Sequence, residues 1–111
     1  MLFSQSLKEN RAFRRLYSRG RHTGARCVVL YCRGNSSGTN RLGVTVSVKL
    51  GNAVCRNRIR RRLREIYRTN ESRFKRGYDI IAVARHSAVG ASYTELRDEF
   101  LRLASELGLT V

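Results

Sequence analysis

The stretch Leu42-Gly43-Val44-Thr45-Val46-Ser47-Val48-Lys49-Leu50-Gly51-Asn52-Ala53-Val54-Cys55-Arg56-Asn57-Arg58-Ile59-Arg60-Arg61-Arg62-Leu63-Arg64-Glu65 changes its period in the middle. Leu42, Val44, Val46 and Val48 alternate with Gly43, Thr45, Ser47 and Lys49, the period of two expected of a half-buried strand. Gly51-Asn52 interrupts that pattern. From about Ala53 to Thr69 the apolar residues Cys55, Ile59, Leu63, Ile66 and Tyr67 fall on one helical stripe. A strand therefore leads through a short breaker into an amphipathic helix, and the rest of the chain is read outward from this pair.

Upstream, Asn10 is expected to cap a helix whose Phe13, Leu16 and Tyr17 share a face, with Gly20 at its end. The β-branched and aromatic run from Arg26 to Arg33 then predicts a strand, followed by a turn-rich loop from Gly34 to Asn40. That strand and the Leu42–Val48 strand are expected to pair as an antiparallel hairpin. Downstream, Asp79 to Ala84 is a continuous apolar run suited to a strand buried on both faces, inside the sheet. A capping box from Ser92 to Glu95 opens a last helix carrying Tyr93, Leu96, Phe100, Leu103 and Leu107 on its core face before Gly108. With no internal repeat or linker, residues 1–111 read as a single domain.

Charge narrows the function. Lys and Arg total 23 against 8 Asp and Glu, a formal net charge of +15 and a pI near 11.3. Self-repulsion on that scale points to a polyanionic partner, and clustered arginine is the footprint of nucleic-acid binding. The central helix concentrates this charge in Arg56, Arg58, Arg60, Arg61, Arg62, Arg64 and Arg68, with Glu65 the only acid in the stretch. Like charges then stand four residues apart, each such pair costing a few tenths of a kcal/mol. A solvated helix face ordinarily mixes signs; this one does not. Arginine also grips phosphate through two parallel N–H groups and stacks on bases.

Other function classes find little support. No apolar stretch approaches the ~20 residues of a membrane span, no signal-peptide core precedes Lys8 and Glu9, and a cytoplasmic protein is expected. Cys27, Cys32 and Cys55 form no C-x-x-C pair and suit small packing positions. His22 and His86 sit beside basic residues with no evident nucleophile, and the carboxylates lack the clustering of two-metal nucleases. No catalytic residue and no metal ligand is assigned. The aromatic residues instead suggest recognition: Phe13 and Tyr17 on the first helix could face Cys27, Val29 and Tyr31 on one side of the first long strand. Such a strip can stack single-stranded bases, though aromatics at helical spacing are more commonly core.

The segment Lys49 to Glu65, with Gly51-Asn52-Ala53-Val54 leading into Arg56-Asn57-Arg58 and a basic helix, resembles the RNR motif region of bacterial ribonuclease P proteins. The resemblance extends to Phe13, Tyr17 and Gly20, to the Val-Leu-Tyr strand, to Leu42-Gly43-Val44-Thr45-Val46-Ser47, and to Tyr78 through Arg85. It implies an α/β (α+β) sandwich of about four mixed strands and three helices, the basic helix joining two parallel strands by a left-handed crossover. It further implies the protein subunit of an endoribonuclease that removes the 5′ leader from precursor tRNA, with Mg²⁺-dependent chemistry in the RNA subunit. Expected partners are the catalytic RNA and the leader, with no obligate protein partner and no membrane. By this resemblance Lys49, Arg56, Asn57, Arg58, Arg60, Arg61 and Arg64 contact the catalytic RNA. Phe13, Tyr17, Val29 and Tyr31 line a leader-binding cleft, with Asn57, Arg61 and Arg64 bordering both sites. Val48 stands where a second lysine is common, so Lys49 acts alone. A basic ribosomal or other structural RNA-binding protein is the alternative, and it would need no leader cleft.

Overall fold

Chain order in the computed structural model, which describes residues 3–111, is β1 (Ser4–Ser6), α1 (Asn10–Arg19), β2 (Arg21–Gly24), β3 (Val28–Gly34), β4 (Asn40–Thr45), α2 (Ala53–Asn70), β5 (Tyr78–Ala84) and α3 (Tyr93–Glu106). The strands make one mixed sheet in the order β1-β4-β5-β3-β2. The three helices and mixed sheet match the expected class, but five strands replace the expected four or so. The additional edge strands, β1 and β2, are three and four residues long and largely polar. Neither is long enough to show an alternating pattern, and short polar strands are a common way to end a sheet.

The expected hairpin is not formed. β5 lies between β3 and β4, antiparallel to the first and parallel to the second. Its Ile80, Ile81 and Ala82 are fully buried, and a strand apolar on both sides can be covered on both sides only at the centre of the sheet. The residues between β3 and β4 need to bridge only about 10 Å, two strand spacings, to leave that gap. Because β4 and β5 are parallel, they require the long connection that α2 provides.

β4 also stops earlier than its alternation suggests. After Thr45 the chain turns into a single 3₁₀ turn at Val48–Leu50, where the Ser47 hydroxyl accepts from the Lys49 N–H. Val46 and Leu50 stay buried while Val48 is exposed. Asn52 then caps α2, its Oδ1 accepting from the Cys55 N–H at 2.9 Å. Ile59, Leu63, Ile66 and Tyr67 form the buried stripe as expected. The Ser92–Glu95 capping box is likewise present at the start of α3. α1 differs: its cap position is Glu9, without a side-chain cap bond, and Asn10 is the first helical residue. Packing of Ala12 and Leu16 onto the sheet therefore sets where α1 begins.

Two layers cover the sheet. On one face α2 and α3 enclose Leu30, Ile80 and Ala82 with Leu63, Ile66, Phe100 and Leu103. On the other, α1 packs Ala12 and Leu16 against Leu7 and Ile81, with Phe13, Tyr31 and Val83 around them. Cys27 falls before β3 and joins the first of these cores, so it does not share a face with Val29 and Tyr31. All three cysteines are free, Cys27 and Cys32 buried and Cys55 half-buried.

Gly20 sets how closely α1 meets the sheet. Its backbone is extended, but a Cβ there would lie 2.6 Å from the Leu16 carbonyl oxygen and 3.0 Å from that of Cys32. Neither backbone atom can move without shifting α1 or β3. Gly20→Ala is expected to destabilise the protein by about 1–3 kcal/mol, as overpacking does. Chemical denaturation would check it, and an unchanged midpoint would show that α1 can lift freely.

Candidate nucleic-acid interface

Helical packing leaves the polar side of α2 to the arginines. Arg58, Arg61 and Arg64 are exposed, as are Asn57 and Lys49, while Arg56 and Arg60 are partly covered. Some of these groups are held in place. Arg56 Nε donates to the Gly51 carbonyl at 3.2 Å, and Arg60 Nη1 donates to Asn57 Oδ1 at 2.9 Å. Arg62 Nη1 reaches the Ala91 carbonyl at 3.2 Å, tying α2 to the segment before α3. Arg68 Nε donates to Glu65 Oε2 at 3.0 Å, and that bond holds the Glu65 carboxyl below its usual pKa. Among the described residues the ion pairs are Arg41–Asp79, Arg68–Glu65 and Arg97–Asp98. Arg56, Arg58, Arg60, Arg61 and Arg64 thus form a positive surface, and none of them is in an ion pair with a described carboxylate.

A second site lies across the sheet. Phe13 and Tyr17, one helical turn apart on α1, have ring centroids 6.4 Å apart. Tyr17 meets Tyr31 edge-on at 5.0 Å, and Tyr31 stacks on His22 at 5.1 Å. The Tyr17 hydroxyl hydrogen-bonds Thr45 Oγ1 at 3.0 Å, fixing its ring over the end of β4. Gly43 makes room for this arrangement, because a Cβ there would lie 2.6 Å from the end of the Phe13 ring.

Register explains why a groove remains open beside α1. Val29, Val83 and Thr45 are aligned across three strands. Val29 points the same way as Tyr31, two residues along β3. All three are only half-buried. α1 covers the neighbouring row, Tyr31, Ile81 and Gly43, and touches this one only in part, through the packing of Val83 and the Tyr17–Thr45 hydrogen bond. The result is an apolar floor walled by Tyr17 and Tyr31.

Phe13, Tyr17, Val29 and Tyr31 are thus brought together. Asn57, Arg61 and Arg64 are not joined to them by any hydrogen bond. They belong to α2, which packs on the opposite face and starts from the end of the sheet where β4 stops. Nothing local in the sequence marks Thr45 or Val83, or places His22 on Tyr31, since each enters the groove only through strand pairing. The β2–β3 register that sets His22 against Tyr31 leaves no local signal. Among the described residues no group of three His, Cys, Asp or Glu could hold a metal ion, and no helix is long and apolar enough to cross a membrane.

Comparison with known proteins agrees with this layout. Residues 1–108 match the family described as Ribonuclease P. The ribonuclease P protein component of Alkaliphilus oremlandii is 40% identical over 103 residues, covering 93% of this chain and 90% of the relative. That of Alkaliphilus metalliredigens is 36% identical over 109 residues, covering 98% of each. The solved ribonuclease P protein of Staphylococcus aureus superposes with a TM-score of 0.88 at 31% identity, covering 98% of each chain. That of Thermotoga maritima gives a TM-score of 0.84 at 28% identity, over 91% of this chain and 96% of the other. The parallel β4–α2–β5 unit, the arginine surface it displays and the match along nearly the whole chain lead to one assignment: this protein belongs to the ribonuclease P protein family.

Proposed function

We propose that the chain is the protein subunit of a ribonuclease P that cuts the 5′ leader from precursor tRNA, with hydrolysis carried out by the RNA subunit. In this reading Arg56, Asn57, Arg58, Arg60, Arg61 and Arg64, together with Lys49, hold the catalytic RNA. The groove lined by Phe13, Tyr17, Val29 and Tyr31 takes the single-stranded leader. Asn57, Arg61 and Arg64, on α2 across the sheet from the groove, guide the leader's backbone after it passes the end of β4. Mg²⁺ is assigned in this reading to the RNA and the substrate.

The observation that carries the reading is the contacting set Phe13, Tyr17 and Tyr31 beside an open apolar floor. Rings needed only for the core would be covered; Tyr17 is 42% exposed. Stacking on such rings is worth ~1–3 kcal/mol per base and tolerates any sequence. Mature tRNA lacks the leader and gains nothing from this groove, so the protein favours precursor over product. The positive body also lowers repulsion between two RNAs, which raises substrate affinity and reduces the Mg²⁺ needed.

The test is single-turnover cleavage of a precursor tRNA by a bacterial ribonuclease P RNA at low Mg²⁺, with and without the protein. A large stimulation is expected. Replacing Phe13, Tyr17 and Tyr31 with Ala should weaken binding of leader-bearing precursor on the order of tenfold or more, leaving leaderless tRNA nearly unaffected. Equal losses on both RNAs would remove the groove from leader recognition. Absence of stimulation, together with tight binding to ribosomal RNA, would favour a ribosomal role.

A further inference from the structure

α1 turns its aromatic flank to the groove and presents a different chemistry elsewhere. Arg11, Arg14, Arg15 and Arg19 are all exposed, and none is in an ion pair with a described carboxylate. Arg11 and Arg15, and Arg15 and Arg19, stand four residues apart, an unfavourable spacing for like charges. They line a shallow depression together with Ser18. Arg15 also lines a second hollow of about 240 Å³, at the edge of the sheet away from Thr45, shared with Arg33, Asn35, Ser36, Arg41 and Asp79.

The charge balance of that hollow favours an anion. Its carboxylate, Asp79, is engaged by both arms of Arg41, at 2.7 and 2.6 Å, and by Asn35 Nδ2 at 3.0 Å. Arg15 and Arg33 are in no ion pair with a described carboxylate, and the nearby Glu9 acts on Arg41. Arginine therefore continues from the crest of α1 into a polar hollow on its far side, while the aromatic rings occupy the near side. This surface lies across the sheet from α2.

We infer that this arginine track is a second backbone site on the protein, and that its occupant is the upstream part of the leader, carried over α1 after leaving the groove. The inference rests on the leader-binding reading above. A strand stacked on Tyr17 is already against α1, and Arg14 and Ser18 flank Tyr17 in the helix. Phosphates passing over the crest next meet Arg11, Arg14 and Arg15, then the hollow with Arg33. Recognition is of phosphate spacing and charge, with no base read.

The experiment uses the reconstituted holoenzyme with three substrates: leaderless tRNA, a precursor with a leader of about 4 nucleotides, and one with about 20. The variant carries Arg11→Gln, Arg14→Gln, Arg15→Gln and Arg33→Gln, which keep hydrogen-bonding length and largely keep helix propensity. Circular dichroism and the affinity for catalytic RNA are measured beside it. The track predicts a loss on the order of tenfold for the long leader, with the short leader and the catalytic RNA bound as before. The salt dependence for the long leader should flatten by roughly 2 to 3 in log–log slope, at ~0.7 per single-strand phosphate released. Equal affinity for both leaders in the wild-type holoenzyme would overturn the proposal. So would a loss confined to the catalytic RNA, which would assign the surface to that RNA instead. Failure of the leader reading itself is separate: wild-type protein would then not distinguish the short leader from leaderless tRNA.

Discussion

Replacing Arg56, Asn57 and Arg58 with Ala is expected to abolish most of the protein's stimulation of cleavage and to weaken binding to the catalytic RNA on the order of a hundredfold. Two arginine–phosphate contacts at ~1.5–3 kcal/mol each account for that factor. Asn57 also positions the Arg60 guanidinium through its Oδ1. The slope of log affinity against log salt should fall by about two. Loss of fold does not offer a competing explanation. The first turn of α2 contains no acid, and these arginines sit near the positive end of its dipole, where cations are disfavoured. Alanine is also the best helix former, so the variant should melt no lower than the parent. RNA binding by titration, paired with a thermal melt, checks both halves. A variant that binds as well as the parent would mean that the RNA contact lies elsewhere on α2.

A large effect on stability is expected from a buried polar residue, comparable to truncating a core side chain. Asn40, 0% exposed, donates to the Lys75 carbonyl at 2.9 Å and to the Tyr67 hydroxyl at 3.1 Å, and accepts from the Tyr78 N–H at 2.9 Å. It thereby closes the start of β4 onto the start of β5 and anchors the far end of α2. Asn40→Leu keeps the branched shape, with bulkier methyls, but leaves the part-buried Lys75 carbonyl and Tyr78 N–H without this partner, at ~1–3 kcal/mol each. The Tyr67 hydroxyl keeps Ser4 Oγ at 2.6 Å, so its share of the loss is small. A total near 4 kcal/mol is a large part of the ~5–15 kcal/mol that holds a domain together. The melting temperature should fall by on the order of 10 °C or more. Asn40→Ala should lose at least as much, because it adds a cavity. A shift of only a degree or two in Asn40→Leu would show that water reaches these groups.

Much of this organisation is readable in one dimension. α2 and α3 announce themselves because helical packing repeats every three to four residues, and their caps use short-range chemistry at Asn52 and at Ser92–Glu95. The Asp79–Ala84 strand is equally plain, since burial on two faces leaves no polar position. The unpaired arginines of α2 are visible for the same reason: charge sign and spacing are local properties. β1 and β2 are not readable, being brief polar segments that become strands only when β4 and β3 are present to pair with them. The Arg26–Arg33 and Leu42–Val48 segments mislead about each other, because adjacency in sequence favours a hairpin that the more apolar β5 displaces.

The amino-acid sequence by itself thus determined which segments are helices, which strand is central, and that a polyanionic partner is to be expected. These follow from periodicity and net charge, which need no knowledge of neighbours. Tertiary structure alone decided that β5 separates β3 from β4 and that Val29, Val83 and Thr45 line up as an open floor. It also decided that the arginines of α1 and α2 face opposite sides of the sheet. Those outcomes depend on strand register and on which face each helix covers, and both are settled by contacts between residues far apart in the chain.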